Sequence, residues 1–531
     1  MTTSSEPTRR TLYAEAQQRE IPGRASMSKA ELAAALARHT SETATPEPPA
    51  PEIASRYATF KRLAEAVASG EFVLRPRALS GHERRRHLRQ TLREDHQTRI
   101  AEGCEEAGDK FDKLAGSMFS FFRGTALLFY RDMAGDDAWM PTVLALGDVH
   151  PENFGVMPNA DNVPIFSVND FDEAYYAPFT WDLKRGATGF MIAAETEGKL
   201  ERKHQAKIVR HFVKGYINEM QRLSREGTER DEEMRHDNAP KLIRKLFEDA
   251  DEARDEWLMD DYLDETRSGF RPTKKLVPIS SRRDEFQRLT DQLVAENAIE
   301  VPHRALGADA ATMGKKSAPG KKKAQSGKKA QRGQPGMRVK DVAIRLGQGT
   351  ASLGLNRYYV LIEGPEGDGT DDLIIEYKQA RRSALSGLAP PTAYEVDTLA
   401  ERVSHAQAVH LVRGDVFYGH VEFEGQSYLS RERAPFRDDI DLDDLSKSEW
   451  REYARICGRV LATVHALSDE LGKIDYDIEP AIVDAIGPPK LFAEDMVEFA
   501  SEAADRVRRD HALFCEDHAR GAFQHLDWVH R

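Results

Sequence analysis

The sequence lacks a long apolar run and an apolar N-terminal leader. Its most apolar stretch, Met118 to Met133, is interrupted by Arg123 and Arg131. It therefore falls short of the roughly 18 consecutive apolar residues of a membrane span. The first ten residues, MTTSSEPTRR, contain no apolar signal core. We therefore predict a cytoplasmic protein that does not cross a membrane.

Cysteine is scarce as well. The three cysteines, Cys104, Cys457 and Cys515, lie far apart and form no CxxC pair. This spacing excludes a disulfide framework and predicts reduced, mostly buried thiols.

Positive charge is also in short supply, because the 531 residues carry a formal net charge of −13. This balance argues against a protein that coats nucleic acid. The distribution is uneven, since residues 314–336 contain seven lysines, one arginine and no acid. A chain of this length, with 40% hydrophobic residues, predicts two folded lobes with appendages.

An N-terminal module is predicted at residues 10–40, where two short apolar helical patterns flank Pro22 and Gly23. Ser28 and Glu31 have the spacing of a capping box for the second helix. The module resembles the helix–extension–helix modules of the SAP and Rho N-terminal type, which implies contact with nucleic acid. A small docking or solubilising module is the alternative.

Two linkers separate the remaining blocks. Residues 41–54 are proline-rich, which predicts a semi-extended tether. Residues 306–338 are rich in Gly, Lys and Ala and cannot bury enough apolar surface to fold. This basic linker either attracts phosphate backbones or serves only as a soluble loop. We predict a helix-rich block with a short strand cluster at 55–305, and a block that opens with strands and ends in helices after residue 338.

Polar loops follow short apolar runs between residues 142 and 185, and one of these runs is a predicted strand at Pro164–Val168. The loop GDVHPEN contains Asp148 and Asn153, and the loop NDFD contains Asp170 and Asp172. Because each loop leaves the end of a short strand, we expect these side chains to converge on one point. Two acid-rich turns closed by Asx hydrogen bonds are the alternative. The joint pattern GDxHxxN followed by DFD is more specific than either loop alone.

These residue types suit phosphoryl transfer. That reaction needs a carboxylate to orient the acceptor hydroxyl and take its proton, and hard oxygen ligands to hold Mg²⁺ on the phosphates. We predict that Asp148 is the base and that Asn153 and Asp170 are metal ligands, with Asp172 as an auxiliary. His150 has no second His or Cys at ligand spacing, so a structural hydrogen-bonding role is predicted for it.

Several segments resemble known families. The polar loops are similar to the catalytic and metal-binding loops of aminoglycoside and choline phosphotransferases, which share the protein-kinase fold. The wider sequence resembles domain of unknown function 2252, a bacterial family. The resemblance implies that Asp148 is the catalytic base and that Asn153 and Asp170 bind Mg²⁺. It also implies that Asp182 anchors the backbone of the catalytic loop. The segments that carry it are MFSFFRGTALLFYRDM, LGDVHPENFG, FSVNDFDEAYYAPFTWDLKR, KDVAIRLGQGTASLGLNRYYVLIEG and IIEYKQA.

A candidate nucleotide cradle follows in the second block. The predicted strand Val342–Leu346 leads to a glycine-rich turn. A second strand is predicted at Arg357–Glu363, and a third, Leu373–Tyr377, ends in Lys378. Glycines let the backbone approach phosphates closely, and a strand-borne lysine supplies one compact positive charge. A simple hairpin turn is the alternative. No Walker A sequence occurs, which disfavours the P-loop class. The residues predicted to hold ATP with Lys378 are Gly347, Gly349, Thr350, Ser352 and Gly354.

The order of these elements resembles a kinase small lobe placed after, instead of before, the catalytic loop. We therefore predict an α+β, protein-kinase-like, two-lobed fold in permuted order. The large lobe spans 55–305, the small lobe spans 339–445, and helices at 446–531 pack back on the large lobe. In that fold a helix glutamate pairs with the lysine. The predicted helix Tyr394–Val412 offers Glu395 and Glu401, and its periodicity does not choose between them.

The leading hypothesis is an enzyme that uses ATP and Mg²⁺ to phosphorylate a hydroxyl of a small molecule. A pseudokinase, or a kinase-fold nucleotidyltransferase that transfers AMP, is the second hypothesis. The third is a nucleic-acid-associated protein that uses the N-terminal module and the basic linker.

Overall fold

The computed structural model describes residues 12, 27–34, 55–101, 109–249, 254–307, 337–347, 355–394, 399–435, 438–471 and 473–523. The chain divides into two compact units, one of which is Arg56–Gln524. In the other unit, residues 29–34 are helical. The Ser28 N–H donates to Glu31 Oε2, and the Glu31 N–H donates to Ser28 Oγ, which confirms the predicted capping box. The rest of the module at 10–40, and nearly all of both linkers, lie outside the described residues.

Fourteen α-helices, each of seven residues or more, build most of the described part of Arg56–Gln524. They are α1 (Tyr57–Ala68), α2 (Gly81–Ala101), α3 (Asp109–Gly116), α4 (Met118–Gly124), α5 (Ala126–Asp132), α6 (Phe179–Thr196), α7 (Arg202–Glu226), α8 (Lys241–Asp249), α9 (Arg254–Asp261), α10 (Arg283–Glu296), α11 (Leu399–His410), α12 (Lys447–Ala466), α13 (Ile478–Ile486) and α14 (Pro489–Ala519).

The strands form three antiparallel sheets in the described residues, so the fold is α+β. A pair joins β1 (Thr142–Ala145) to β4 (Tyr175–Pro178), and a three-stranded sheet has the order β11-β2-β3. The largest sheet has six strands in the order β5-β6-β7-β8-β10-β9. The remaining strands are β2 (Phe154–Pro158), β3 (Pro164–Val168), β5 (Leu276–Pro278), β6 (Val339–Arg345), β7 (Arg357–Ile362), β8 (Leu373–Gln379), β9 (Gly419–Phe423), β10 (Gln426–Arg433) and β11 (Asp438–Asp439).

The six-stranded sheet is covered on both faces, which is why every residue of β7 and β8 is buried. On one face, Val360, Ile375 and Tyr377 pack against Phe286 of α10. On the other face, Tyr359 packs in a separate apolar cluster with residues that include Trp257 of α9. Alternating side chains of one strand thus enter two different cores, as the period of two requires.

The boundary predicted at residue 305 differs from the observed packing. The strand β5, which belongs to the block 55–305, pairs with β6 of the following block through Leu276 and Arg345. The helix α10, from the same block, packs on the face of that sheet. Residues 254–305 therefore belong structurally with the six-stranded sheet. A strand of three residues carries no detectable alternation, so the sequence pattern could not assign it.

The largest core joins the first block to the C-terminal helices. The helices α7 and α12 make a long contact at which their backbones lie very close together. A Cβ on Gly458 would lie 2.0 Å from the Phe212 carbonyl oxygen. Only glycine allows that approach. The helix α14 also packs on α6 and α7, so the C-terminal helices pack back on the first block, as predicted.

Two further observations bear on the sequence predictions. Every helix among the described residues is too short or too polar for a membrane crossing. Cys457 and Cys515 are free thiols, buried and half-buried respectively, while Cys104 lies outside the described residues.

Candidate active site

The loop after β1 begins with a glycine that the fold requires. Gly147 has φ of 78°, which L side chains rarely adopt, and a Cβ there would lie 2.3 Å from the Glu173 carbonyl oxygen. The Tyr130 hydroxyl donates a 2.7 Å hydrogen bond to the Gly147 carbonyl. These contacts fix the direction in which the chain carries Asp148 away from the strand.

Asp182 on α6 holds the same loop by its backbone. Its fully buried carboxylate accepts hydrogen bonds from the Leu146 N–H at 2.6 Å and the Gly147 N–H at 2.9 Å. His465 of α12 lies behind it, with Nε2 at 3.0 Å from Asp182 Oδ2 and Nδ1 at 2.9 Å from the Tyr216 hydroxyl. A carboxylate only accepts, so the His465 Nε2 donates this hydrogen bond. This geometry is the backbone contact that the sequence resemblance implies for Asp182.

We expect Asp182→Ala to lower the free energy of unfolding by about 3 kcal/mol or more, because it leaves two backbone N–H groups and a histidine N–H buried without an acceptor. Chemical denaturation followed by circular dichroism measures this change. Asp443→Ala is the matched control, since Asp443 is exposed and should change the stability by less than about 0.5 kcal/mol. Equal stability of the two variants would contradict an anchoring role.

Asp148 is buried and paired with an arginine of α6. Arg185, which is fully buried, donates to Asp148 Oδ1 from Nε at 3.1 Å and from Nη2 at 2.8 Å. The guanidinium also stacks on the Phe122 ring, 3.6 Å from its centroid. Burial raises the pKa of Asp148 to about 6, although Arg185 works in the opposite direction. Since Arg185 occupies Oδ1, Oδ2 is the oxygen left to accept a proton.

Asn153 and His150 complete the first loop. The Asn153 Nδ2 donates to the Asp148 carbonyl oxygen, which leaves the Asn153 Oδ1 as a hard oxygen donor. His150 is buried, with Nε2 at 3.9 Å from Asp148 Oδ2 and its ring edge-on to Phe119. Burial holds the pKa of His150 well below its usual range, so the ring is neutral. Its Nδ1 finds no hydrogen-bond partner among the described residues.

The second loop, after β3, meets the six-stranded sheet. The Lys378 Nζ of β8 donates to Asp172 Oδ2, so a contact joins residues that are 206 positions apart. Asp170 lies two residues before Asp172, and its Oδ1 accepts the Asp172 N–H at 3.1 Å. Burial and the neighbouring Asp172 raise the pKa of Asp170. Burial favours a higher pKa for Asp172 too, but Lys378 outweighs it and lowers that pKa.

Buried arginines fasten this loop to the segment after β8. Arg402 of α11 donates to the carbonyl oxygens of Asp172 at 2.7 Å and of Arg381 at 3.0 Å, and also to that of Ala174. Arg381 in turn donates to Glu173 Oε1 at 2.6 Å. The loop is therefore held between the two blocks by charge-assisted hydrogen bonds.

A row of charges continues from Lys378 along the same face of the sheet. Glu376 of β8 is fully buried between Arg357 of β7, at 3.0 Å, and Arg431 of β10, whose Nε donates to it at 2.5 Å. These arginines hold the pKa of Glu376 well below its usual range, against the effect of burial. The sheet therefore presents fixed positive charge beside the acidic loop, which suits a polyanionic ligand.

The structure brings most of the predicted residues together. Lys378 contacts the acidic loop after β3 through Asp172. Gly347, with φ of 70°, lies two residues after the end of β6. Gly349, Thr350, Ser352 and Gly354 lie outside the described residues. One small cavity is lined by Asp148, Asp170, Asp172, Glu173 and Arg381.

The partner of Lys378 differs from the expected helix glutamate. Lys378 contacts Asp172, and the helix that was expected to supply a glutamate to the lysine contributes Arg402, which donates to the Asp172 carbonyl oxygen. Glu395 lies outside the described residues. The described part of the helix is α11 (Leu399–His410), which ends two residues before the predicted end at Val412.

Sequence reasoning missed several residues of this group. Arg185 follows Asp182 by three positions in WDLKR, so one helix face carries both contacts to the first loop. That spacing is a signal that could have been used. Glu173 and Arg381 each follow a predicted motif closely, whereas nothing in the local sequence marks Arg402 or Arg431.

The described part of the chain thus defines an α+β protein with an acidic loop pair closed against a strand-borne lysine. A family model described as "Uncharacterized protein conserved in bacteria (DUF2252)" matches residues 105–517. Because the match covers more than half of the chain, the chain belongs to this family. No curated protein and no solved structure matches the chain.

Proposed function

We propose that this chain is a cytoplasmic, magnesium- and ATP-dependent phosphotransferase that acts on a hydroxyl of a small molecule, with a protein-kinase-like fold in permuted order. The observation that supports it most is the contact between Lys378 and Asp172. Lys378, a strand-borne lysine, contacts Asp172, and Asp172 lines one cavity together with Asp148 and Asp170. A base, a cation ligand and a phosphate partner are the groups that phosphoryl transfer needs.

The topology of the large sheet supports the same proposal. In protein kinases a glycine-rich loop covers the phosphates and the phosphate-binding lysine stands on the third strand of the small lobe. Here a glycine-rich segment separates β6 from β7, and Lys378 stands on β8, the third strand in this series. The helix α11 follows before β9 and β10, and it packs on both of those strands.

In the proposed reaction, Asp148 Oδ2 accepts the proton of the acceptor hydroxyl as its oxygen attacks the γ-phosphorus. The bond from that phosphorus to the bridging oxygen breaks, and ADP leaves. Arg185 fixes the carboxylate through Oδ1, so only Oδ2 turns toward the acceptor. Lys378 exchanges its contact with Asp172 for phosphate oxygens.

Asn153 and Asp170 are the residues that would hold Mg²⁺. The Asn153 amide oxygen and the Asp170 carboxylate are hard oxygen donors, and Asp170 accepts a hydrogen bond from the Asp172 N–H at Oδ1. Burial and the neighbouring Asp172 raise the pKa of Asp170 although Lys378 works in the opposite direction, so a bound cation would favour the ionised carboxylate. When bound, Mg²⁺ neutralises phosphate charge as it develops.

A pseudokinase is the second candidate, and one observation favours it. Lys378 is paired with Asp172 instead of with a helix glutamate, and the pair closes the space next to Asp170. If the pair persists when nucleotide is present, the lysine does not reach the phosphates.

The test is turnover of ATP labelled at the γ-phosphoryl group, with Mg²⁺, in the absence and presence of a mixture of small hydroxyl compounds. The proposal predicts release of ADP that the mixture accelerates, with label in a new small molecule. Nucleotide binding without turnover would support the pseudokinase instead. Acceptor products that carry AMP would identify a nucleotidyltransferase.

We expect the turnover rate to fall at acidic pH, because the base must be deprotonated. With the pKa of Asp148 at about 6, the rate should be independent of pH above about 7. Below pH 6 it should fall tenfold for each pH unit. The ratio kcat/KM, measured between pH 5 and 8, gives this profile, because it reports the pKa values of the free enzyme. A rate that stays constant down to pH 5 would argue against Asp148 as the base.

A further inference from the structure

A second acidic group lies away from the cavity of Asp148. It lines a separate cavity between the end of α7 and the loop that leads into α13. Asp469, Asp477 and Glu479 place one carboxylate oxygen each within 4.8 Å of one another. Three carboxylates this close repel each other strongly unless a cation or a proton lies between them.

Nearby cations do not neutralise this group. Arg230 lines the same cavity but pairs with Glu470. Arg225 also lines it and is exposed, with no ion pair to the three acids among the described residues. The N-terminus of α13 offers only the partial positive charge of a helix end. Burial and the neighbouring acids therefore raise the pKa of Glu479 to about 8.

A fourth carboxylate faces the same cavity without a partner. Glu229 is 9% exposed, and its Oε2 finds no hydrogen-bond donor among the described residues. Its negative charge contributes to the raised pKa of both Asp469 and Glu479, which places it beside them. A buried carboxylate oxygen with no donor costs free energy unless a ligand satisfies it.

The loop orients these acids toward each other. Asp469 Oδ2 accepts the Ile478 N–H at 3.0 Å, which closes the loop across nine residues. Asp477 occupies the N-cap position of α13, yet its side chain caps no backbone N–H. Aspartate at this position normally accepts such a hydrogen bond. Its carboxylate is instead among the three that meet in the cavity.

We propose that Asp469, Asp477 and Glu479, with Glu229 beside them, form a site for a hard divalent cation, with Ca²⁺ as the best match. The donors are all oxygen, which disfavours metals that prefer nitrogen or sulfur. Ca²⁺ accepts several carboxylates in flexible geometry, whereas Mg²⁺ keeps most of its waters and uses one or two carboxylates. The site shares no residue with the proposed ATP site and does not depend on it.

Isothermal titration calorimetry of the full chain with calcium chloride, without nucleotide, tests the site. We expect one Ca²⁺ per chain and an affinity that falls by about tenfold or more in Asp477→Asn. Asp477 is exposed, so this variant should fold, and circular dichroism verifies that it does.

Asp475→Asn is the matched control. Asp475 lines the same cavity but is not one of the three acids, and its substitution removes the same charge as Asp477→Asn does. It should change the Ca²⁺ affinity by less than about threefold. The absence of any binding by the folded chain at millimolar Ca²⁺ would overturn the proposal. Equal losses in Asp475→Asn and Asp477→Asn would overturn it too, as would loss of binding in Asp170→Asn, which would place the ion at the other site.

Discussion

Asp148→Asn should reduce the turnover of ATP by about 10²–10⁴-fold while leaving the affinity for ATP almost unchanged. The amide has nearly the shape of the carboxylate but cannot take the proton of the acceptor hydroxyl. Because ground-state contacts to the nucleotide come from other residues in the proposal, KM for ATP should change by less than about threefold. Rates at saturating ATP, together with direct measurement of ATP binding, separate the two quantities.

The control for this variant is Asp161→Asn. Asp161 is an exposed acid in the turn between β2 and β3. Its substitution removes the same charge as Asp148→Asn does, but Asp161 does not line the cavity of Asp148. Its turnover should equal that of the unmodified chain. Arg185 loses its anionic partner in Asp148→Asn, so thermal unfolding must show that the variant is folded before its rate is interpreted. A folded variant with full turnover would exclude Asp148 as the base.

Lys378→Met should both destabilise the chain and weaken ATP binding. Removal of the ammonium leaves the carboxylate of Asp172, which is 21% exposed, without its cation. We expect a loss of about 2 kcal/mol or more in the free energy of unfolding. We also expect ATP to bind about tenfold or more weakly, because one charge-assisted contact to the phosphates is lost. Denaturation curves and ATP titrations measure the two effects.

The double variant Lys378→Met with Asp172→Asn separates these effects. Neutralising Asp172 removes the uncompensated charge, so most of the stability should return. The affinity for ATP should remain low, because no ammonium is present to contact the phosphates. If the double variant binds ATP as well as the unmodified chain does, Lys378 acts only through Asp172 and the proposed phosphate contact is wrong.

The strands around the polar loops could be predicted from local sequence. The strand predicted at Pro164–Val168 coincides with β3, since Pro164 precedes the apolar alternation and Asn169 ends it. The strand predicted from Arg357 coincides with β7 to within one residue. These elements are short, mostly apolar and bounded by turn residues. Local pattern was sufficient for them.

Contacts between distant segments could not be predicted in the same way. β5 has three residues and acquires its identity only by pairing with β6. The choice of Asp172 as the partner of Lys378 depends on how α11 packs. In the structure α11 turns Arg402, not a glutamate, toward the acidic loop. Pairing across more than 200 positions is a property of the packed core, and no local signal carries it.

The most direct test of the account is the thermal stability of the chain in the presence of ATP and Mg²⁺. A ligand that binds only the folded state raises its stability, by about 2.7 kcal/mol when it is present at a hundred times its Kd. We expect an increase in the unfolding temperature that requires ATP and Mg²⁺ together. The increase should disappear in Asp170→Asn, whereas Asp161→Asn should retain it. No shift in the unmodified chain, or an equal shift in Asp170→Asn, would contradict it.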